Sequence, residues 1–130
     1  MPNVYELTRG YQNITQGNPL IFPNVLTCMA FVAHAGATLI GVHFTIADQS
    51  TARVTEAWTR VQAISAGAHA VYVAGPGWNA SLLANLVPAP ASVDGVLSIA
   101  GSDIQATLAH GVVTLTYRAN GTVGAWLPLL

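Results

Sequence analysis

Lysine is absent from this chain, and charge of either sign is scarce. Four Arg against five Asp plus Glu leave a net charge of −1 and a charged fraction of 7%, where soluble domains carry about 25%. A surface so poor in cations excludes a basic nucleic-acid platform and a polybasic membrane anchor. Cysteine is nearly missing as well. Cys28 is the single thiol, so no disulfide can close within the chain, and the residue is either a small buried hydrophobe or a reactive group. Uninterrupted apolar runs are lacking too. No charged side chain occurs between Gly10 and Ala47, yet Pro19, Pro23, Gly36 and Gly41 break that stretch, and a spanning helix needs about 20 mostly apolar residues. The opening Met-Pro-Asn-Val-Tyr-Glu puts no cationic residue ahead of an apolar run, the pattern of a chain without a secretory signal. These absences predict a protein that neither binds nucleic acid nor enters a membrane, cytoplasmic or delivered into a host cell.

What is present is hydrophobic. With 52% apolar residues and a mean hydropathy of +0.50, disorder is excluded, and 130 residues suffice for one domain over 1–130 with a real core. Residues 1–24 read as an irregular lead-in. Val25–Ala33 and Thr38–Ile46 are β-rich runs whose boundary at Ala35-Gly36 suggests a hairpin. Residues 50–66 change to a helical period. Val54, Ala57, Trp58, Val61 and Ile64 share one face, Asp48 and Ser50 offer N-caps, Glu56 and Arg60 form an i,i+4 pair, and Gly67 stands at a C-cap position. Ala68–Ala74 and Val93–Ile99 read as strands, with a short helix over Ala80–Leu86 capped by Asn79 and stopped by Pro88. The last third reads as a meander with turns at His110-Gly111 and Asn120-Gly121. The fold class expected is α+β: mostly antiparallel, sandwich-like β-sheets flanked by one or two helices.

The first hairpin brings chemistry into view. If Ala35-Gly36 is its two-residue loop, Cys28 stands directly across from His43, with Cβ atoms about 5 Å apart. A thiol needs a base within hydrogen-bond reach to become a nucleophile, and an imidazole supplies one. Thr45, Asn24 or a main-chain carbonyl would then orient the ring, as the third group of a triad does.

The stretch from Val25-Leu26-Thr27-Cys28 through Gly41-Val42-His43-Phe44-Thr45 resembles the cysteine glutamine deamidase superfamily, which includes the cytotoxic necrotizing factor catalytic domain, the Burkholderia lethal factor and the CheD deamidase. In that superfamily a Cys is followed a dozen to a score of residues later by a His. The resemblance implies that Cys28 is the nucleophile and His43 the base. It further implies hydrolysis of a glutamine side-chain amide on a protein substrate through a thioester, with no cofactor. The small pair that toxin members carry ahead of the Cys is replaced here by Leu26-Thr27, and the Thr that several members place six residues before it is Phe22.

The remaining residues suggest less. His34, His43, His69 and His110 lack the close spacing of metal ligands, so no metal is expected. His34 and His110 fall at turns, His69 reads as a core histidine, and Gly75-Pro76-Gly77-Trp78-Asn79 matches no phosphate loop. Trp58 belongs to the helix's buried face, and Trp126 is expected to face Leu115 across the last hairpin. The competing reading is non-enzymatic: a small β-rich interaction module in which Cys28 is merely buried.

Overall fold

The computed structural model describes residues 2–75, 80–96, 101–119 and 125–128. Among the described residues, nine strands form two sheets. Thr15–Gly17 (β1), Met29–Ala35 (β3), Thr38–Phe44 (β4), Ala70–Ala74 (β5) and Ser92–Val96 (β6) make a five-stranded sheet in the order β1-β4-β3-β5-β6. Its pairings are antiparallel except β5 with β6. Leu20–Val25 (β2), Ser102–Ala109 (β7), Val112–Ala119 (β8) and Leu127–Pro128 (β9) make an antiparallel four-stranded sheet in that order. One α-helix, Thr51–Ile64 (α1), and two 3₁₀ turns, Ile46–Asp48 and Ala80–Leu83, complete the described elements. The class is α+β.

The arrangement has three layers. One core lies between α1 and the five-stranded sheet and gathers Phe31, Phe44, Val54, Trp58, Val61 and Val73. The other lies between the two sheets and gathers Leu20, Phe22, Cys28, Val32, Ile104 and Leu115. The five-stranded sheet is therefore covered on both faces, which is why Met29–Ala33 and Leu39–Phe44 are buried at every position and read in sequence as continuous apolar runs without a period of two. Gly41 on β4 lets the layers close up. A Cβ there would lie 2.9 Å from side-chain atoms of both Leu20 and Val4 and 3.0 Å from Phe22.

The helix begins where the sequence expected. The Ser50 hydroxyl accepts from the Arg53 amide, Val54, Ala57, Trp58 and Val61 are buried, and Arg60 donates to Glu56 at 3.1 Å. It ends at Ile64, which is exposed, with Ser65 at the C-cap. Gly67 follows outside the helix, where the Gln62 amide both accepts from its N–H and donates to its carbonyl. Asp48 caps no α-helix: it accepts from Thr45 and pairs with Arg53 at 2.9 Å.

The first 24 residues are not irregular throughout, since β1 and most of β2 fall there. Pro23 sits in β2, at the edge of its sheet, where a missing N–H costs no ladder bond. The β2–β7 pairing shifts between Phe22 and Val25, with Asn24 at φ +54° and its amide donating to Asp103, so Pro23-Asn24 forms a bulge. The His110-Gly111 turn is as expected, both residues having positive φ, the requirement of a type I′ turn. The last hairpin is shifted. Tyr117 pairs with Leu127, so Trp126 stacks under the Arg118 guanidinium at 4.1 Å and does not face Leu115, which is buried between the sheets. Asn79, Asn120-Gly121 and residues 97–100 lie outside the described residues. No described helix is long and apolar enough to cross a membrane.

Candidate functional site

The β3–β4 hairpin decides where Cys28 and His43 stand. Its loop is Gly36-Ala37, not Ala35-Gly36, because Ala35 pairs with Thr38. Gly36 takes the first loop position at φ +75°, where a type II′ turn requires glycine. The register is thereby displaced by two residues. His43 faces Ala30, and Cys28, just before β3, lies diagonally along the same face and not directly opposite. Because the displacement is even, both side chains still project into the space between the sheets.

The N-terminal segment closes over them. Val4 donates to the Ile21 carbonyl and Ile21 to Pro2, so residues 2–4 run beside β2; Leu7 then donates to the His43 carbonyl at 2.9 Å, and Glu6 bridges to His43. This strap also holds the imidazole. His43 Nδ1 lies 3.0 Å from the Val4 carbonyl. A carbonyl only accepts, so Nδ1 carries the proton and Nε2 presents its lone pair. That Nε2 is buried and has no hydrogen-bond partner among the described residues, while the ring, 1% exposed, packs edge-on against Phe22.

Glu6 completes the group. The Cys28 thiol reaches its Oε1 at 3.9 Å, and one donor atom from each of Glu6, Cys28 and His43 lies within 4.8 Å of the other two. Glu6 is exposed and Cys28 only 5% exposed. Tyr5, Glu6, Pro23 and His43 line a cleft of about 360 Å³, and Pro23 belongs to the β2 bulge. The Cys28 loop is anchored from behind by Gln49, whose amide donates to the Thr27 carbonyl at 2.9 Å. Gly75 packs against the Cys28 carbonyl so closely that a Cβ would collide with it.

Of the three orienting groups open from the sequence, the main-chain carbonyl is the one placed on the ring. The Thr45 hydroxyl donates to Asp48 at 2.8 Å, because Thr45 caps the 3₁₀ turn, and so it is not the group that orients His43. Asn24 is exposed on the bulge, its backbone amide engaged with Asp103. Glu6 was missed by sequence reasoning. The available signal was its isolation: Glu6 and Arg9 are the only charged side chains in the first 47 residues. The other histidines stand apart from this group. His69 reaches the Ser65 carbonyl and packs edge-on against Trp58, His34 reaches the Gly36 carbonyl, and His110 occupies a turn.

The surroundings shift both groups toward their uncharged forms. Burial first, and the Glu6 carboxylate second, push the Cys28 thiol above its ordinary value, against backbone hydrogen bonds to the sulfur from Leu26 and Thr27. Burial pulls His43 below the ordinary imidazole value, opposed by its Val4 hydrogen bond and by Glu6. Sulfur, imidazole and carboxylate together are also a donor set that borderline metal ions accept, although the histidine spacing had argued against a metal. No protein-family model, curated protein or solved structure matches the chain.

Proposed function

We propose that the chain is a cysteine-dependent amide hydrolase, with Cys28 as nucleophile, His43 as general base and acid, and the Val4 carbonyl as the group that fixes the imidazole. The observation that carries this reading is the buried Nε2 of His43, without a partner among the described residues and held in its proton-accepting tautomer, on a ring of which one nitrogen lies within 4.8 Å of the only thiol. Nε2 takes the proton as the Cys28 sulfur attacks an amide carbon. The same proton returns to the nitrogen as the C–N bond breaks, releasing ammonia and leaving a thioester. Water, deprotonated by Nε2, then attacks the thioester, the C–S bond breaks, and the acid and the free thiol are restored.

The resemblance of residues 25–45 to the cysteine glutamine deamidases supports a glutamine carboxamide on a protein as the substrate. Tyr5, 58% exposed and lining the cleft, and Leu26, 52% exposed and two residues before the nucleophile, offer apolar ground for such a partner. The test is ammonia release from glutamine-containing proteins and peptides, with intact mass distinguishing deamidation from cleavage or cross-linking. Activity lost in both Cys28→Ser and Cys28→Ala supports the reading. Activity retained in either refutes it.

A further inference from the structure

The same three side chains form a donor set for a metal ion. We infer that Glu6, Cys28 and His43 bind a single Zn²⁺ ion through a carboxylate oxygen, Sγ and Nε2, with the fourth position open to the cleft. The inference concerns regulation of the site proposed above and rests on that reading only for its effect on activity. The ligands themselves are independent of it.

Three observations converge. First, His43 Nε2 is an orphan, buried and without a partner among the described residues, on a ring of which one nitrogen lies within 4.8 Å of the sulfur and a carboxylate oxygen, and a buried polar atom left unpaired is costly. A metal ion satisfies it. Secondly, the other ring nitrogen already makes the bond a zinc-bound histidine makes, donating its N–H to a backbone carbonyl, here Val4 at 3.0 Å, which fixes ring orientation and tautomer. Thirdly, the charges balance. A thiolate and a carboxylate 3.9 Å apart repel each other, and a dication between them turns that repulsion into two attractions.

The geometry needs little change. Tetrahedral zinc with bonds of about 2.0–2.3 Å sets its ligands about 3.5 Å apart, against a resting spread of at most 4.8 Å. Glu6 is exposed and can swing inward. The mixed S, N, O set favours Zn²⁺ over Mg²⁺ or Ca²⁺, which prefer oxygen alone. Three protein ligands leave one position, which Tyr5 and Pro23 leave accessible across the cleft. Bound Zn²⁺ holds the Cys28 sulfur as a thiolate ligand and occupies Nε2, so it removes nucleophile and base together. The ion acts as a reversible inhibitor.

The experiment uses the untagged full chain stripped with EDTA and dialysed, titrated with ZnCl₂ against a chromophoric chelator and, separately, with CoCl₂. Expected are one equivalent bound per chain, a thiolate-to-cobalt charge-transfer band, and protection of Cys28 from iodoacetamide that EDTA reverses. Cys28→Ser should abolish the band. Glu6→Gln, an exposed change that spares the fold, should weaken Zn²⁺ at least about tenfold, since lost supporting partners alone cost 10–100-fold. Failure to bind one equivalent overturns the inference, as does equal affinity in folded Cys28→Ser and Glu6→Gln. Amide hydrolysis in EDTA without zinc binding removes only the zinc site. Zinc binding without hydrolysis of any glutamine substrate removes only the hydrolase.

Discussion

Replacing Glu6 by Gln should make Cys28 more reactive, not less. The carboxylate and sulfur stand 3.9 Å apart, and two unit charges at that distance repel by about 1 kcal/mol in a medium as polar as water. The water value is the appropriate one because Glu6 is exposed. Glu6→Gln keeps the side-chain shape and removes the charge. Below the thiol's ionisation range, the thiolate fraction, and with it alkylation, should therefore rise by about fivefold at low salt. The gain should shrink toward unity near 1 M salt, where the screening length falls to about 3 Å. The assay is the iodoacetamide rate of folded protein in EDTA between pH 7 and 9, read by intact mass; the single cysteine makes the signal unambiguous. An unchanged or slower rate in folded Glu6→Gln would refute the placement of Glu6 against the thiol. A wild-type thiol that reacts only after denaturation would refute the nucleophile.

Stability should peak between the ordinary imidazole and thiol values. His43 is lowered in the fold, so its contribution is present above about pH 6.5 and fades as pH falls; Cys28 is raised, so its contribution fades as pH rises above about 8.5. Urea midpoints across pH should show both flanks, the alkaline one diminished in Cys28→Ala. Arg53→Ala should lower stability by about 2 kcal/mol, because Arg53 joins Asp48, the Thr8 carbonyl and the Tyr11 ring; denaturant melts measure it, and Arg53→Lys should recover only part. Gly41→Ala should cost about 1–3 kcal/mol by overpacking against Leu20, Val4 and Phe22, read the same way. Trp58→Ala should cost about 3–5 kcal/mol, since the ring is buried on Phe31 and His69 and its indole N–H donates to the Pro88 carbonyl.

Elements with local causes were legible in the sequence. The α1 helix carried its period, its serine cap and its ion pair, and the His110-Gly111 turn carried residues that tolerate positive φ. That Cys28 and His43 share a face was also legible, because an even register error preserves the face. The distance between them was not, because it depends on which two residues make the loop, and Gly36 with Ala37 displaced the pairing by one full pleat. β1 and β2 were obscured by Gly17 and Pro23, which are tolerated there because both strands lie at sheet edges, and by Pro19 between them. The Val4 carbonyl and Glu6 had no pattern to betray them. A main-chain carbonyl has no residue identity, and the contact of the strap with β4 follows no periodicity.

Strand β3 lies between two cores, and its successive residues belong to different ones: Met29, Phe31 and Ala33 face the helix, whereas Ala30 and Val32 face the second sheet. Saturation mutagenesis along β3 should therefore yield two interleaved tolerance profiles, in which a substitution at Phe31 is compensated from Trp58 and one at Val32 from Leu20 or Phe22. Cys28 belongs to the second core, and His43 pairs with Ala30, which faces it. The helical layer could be redesigned for stability or for a new attachment without entering the register that holds Cys28 and His43, a separation of duties that makes this small chain a workable scaffold.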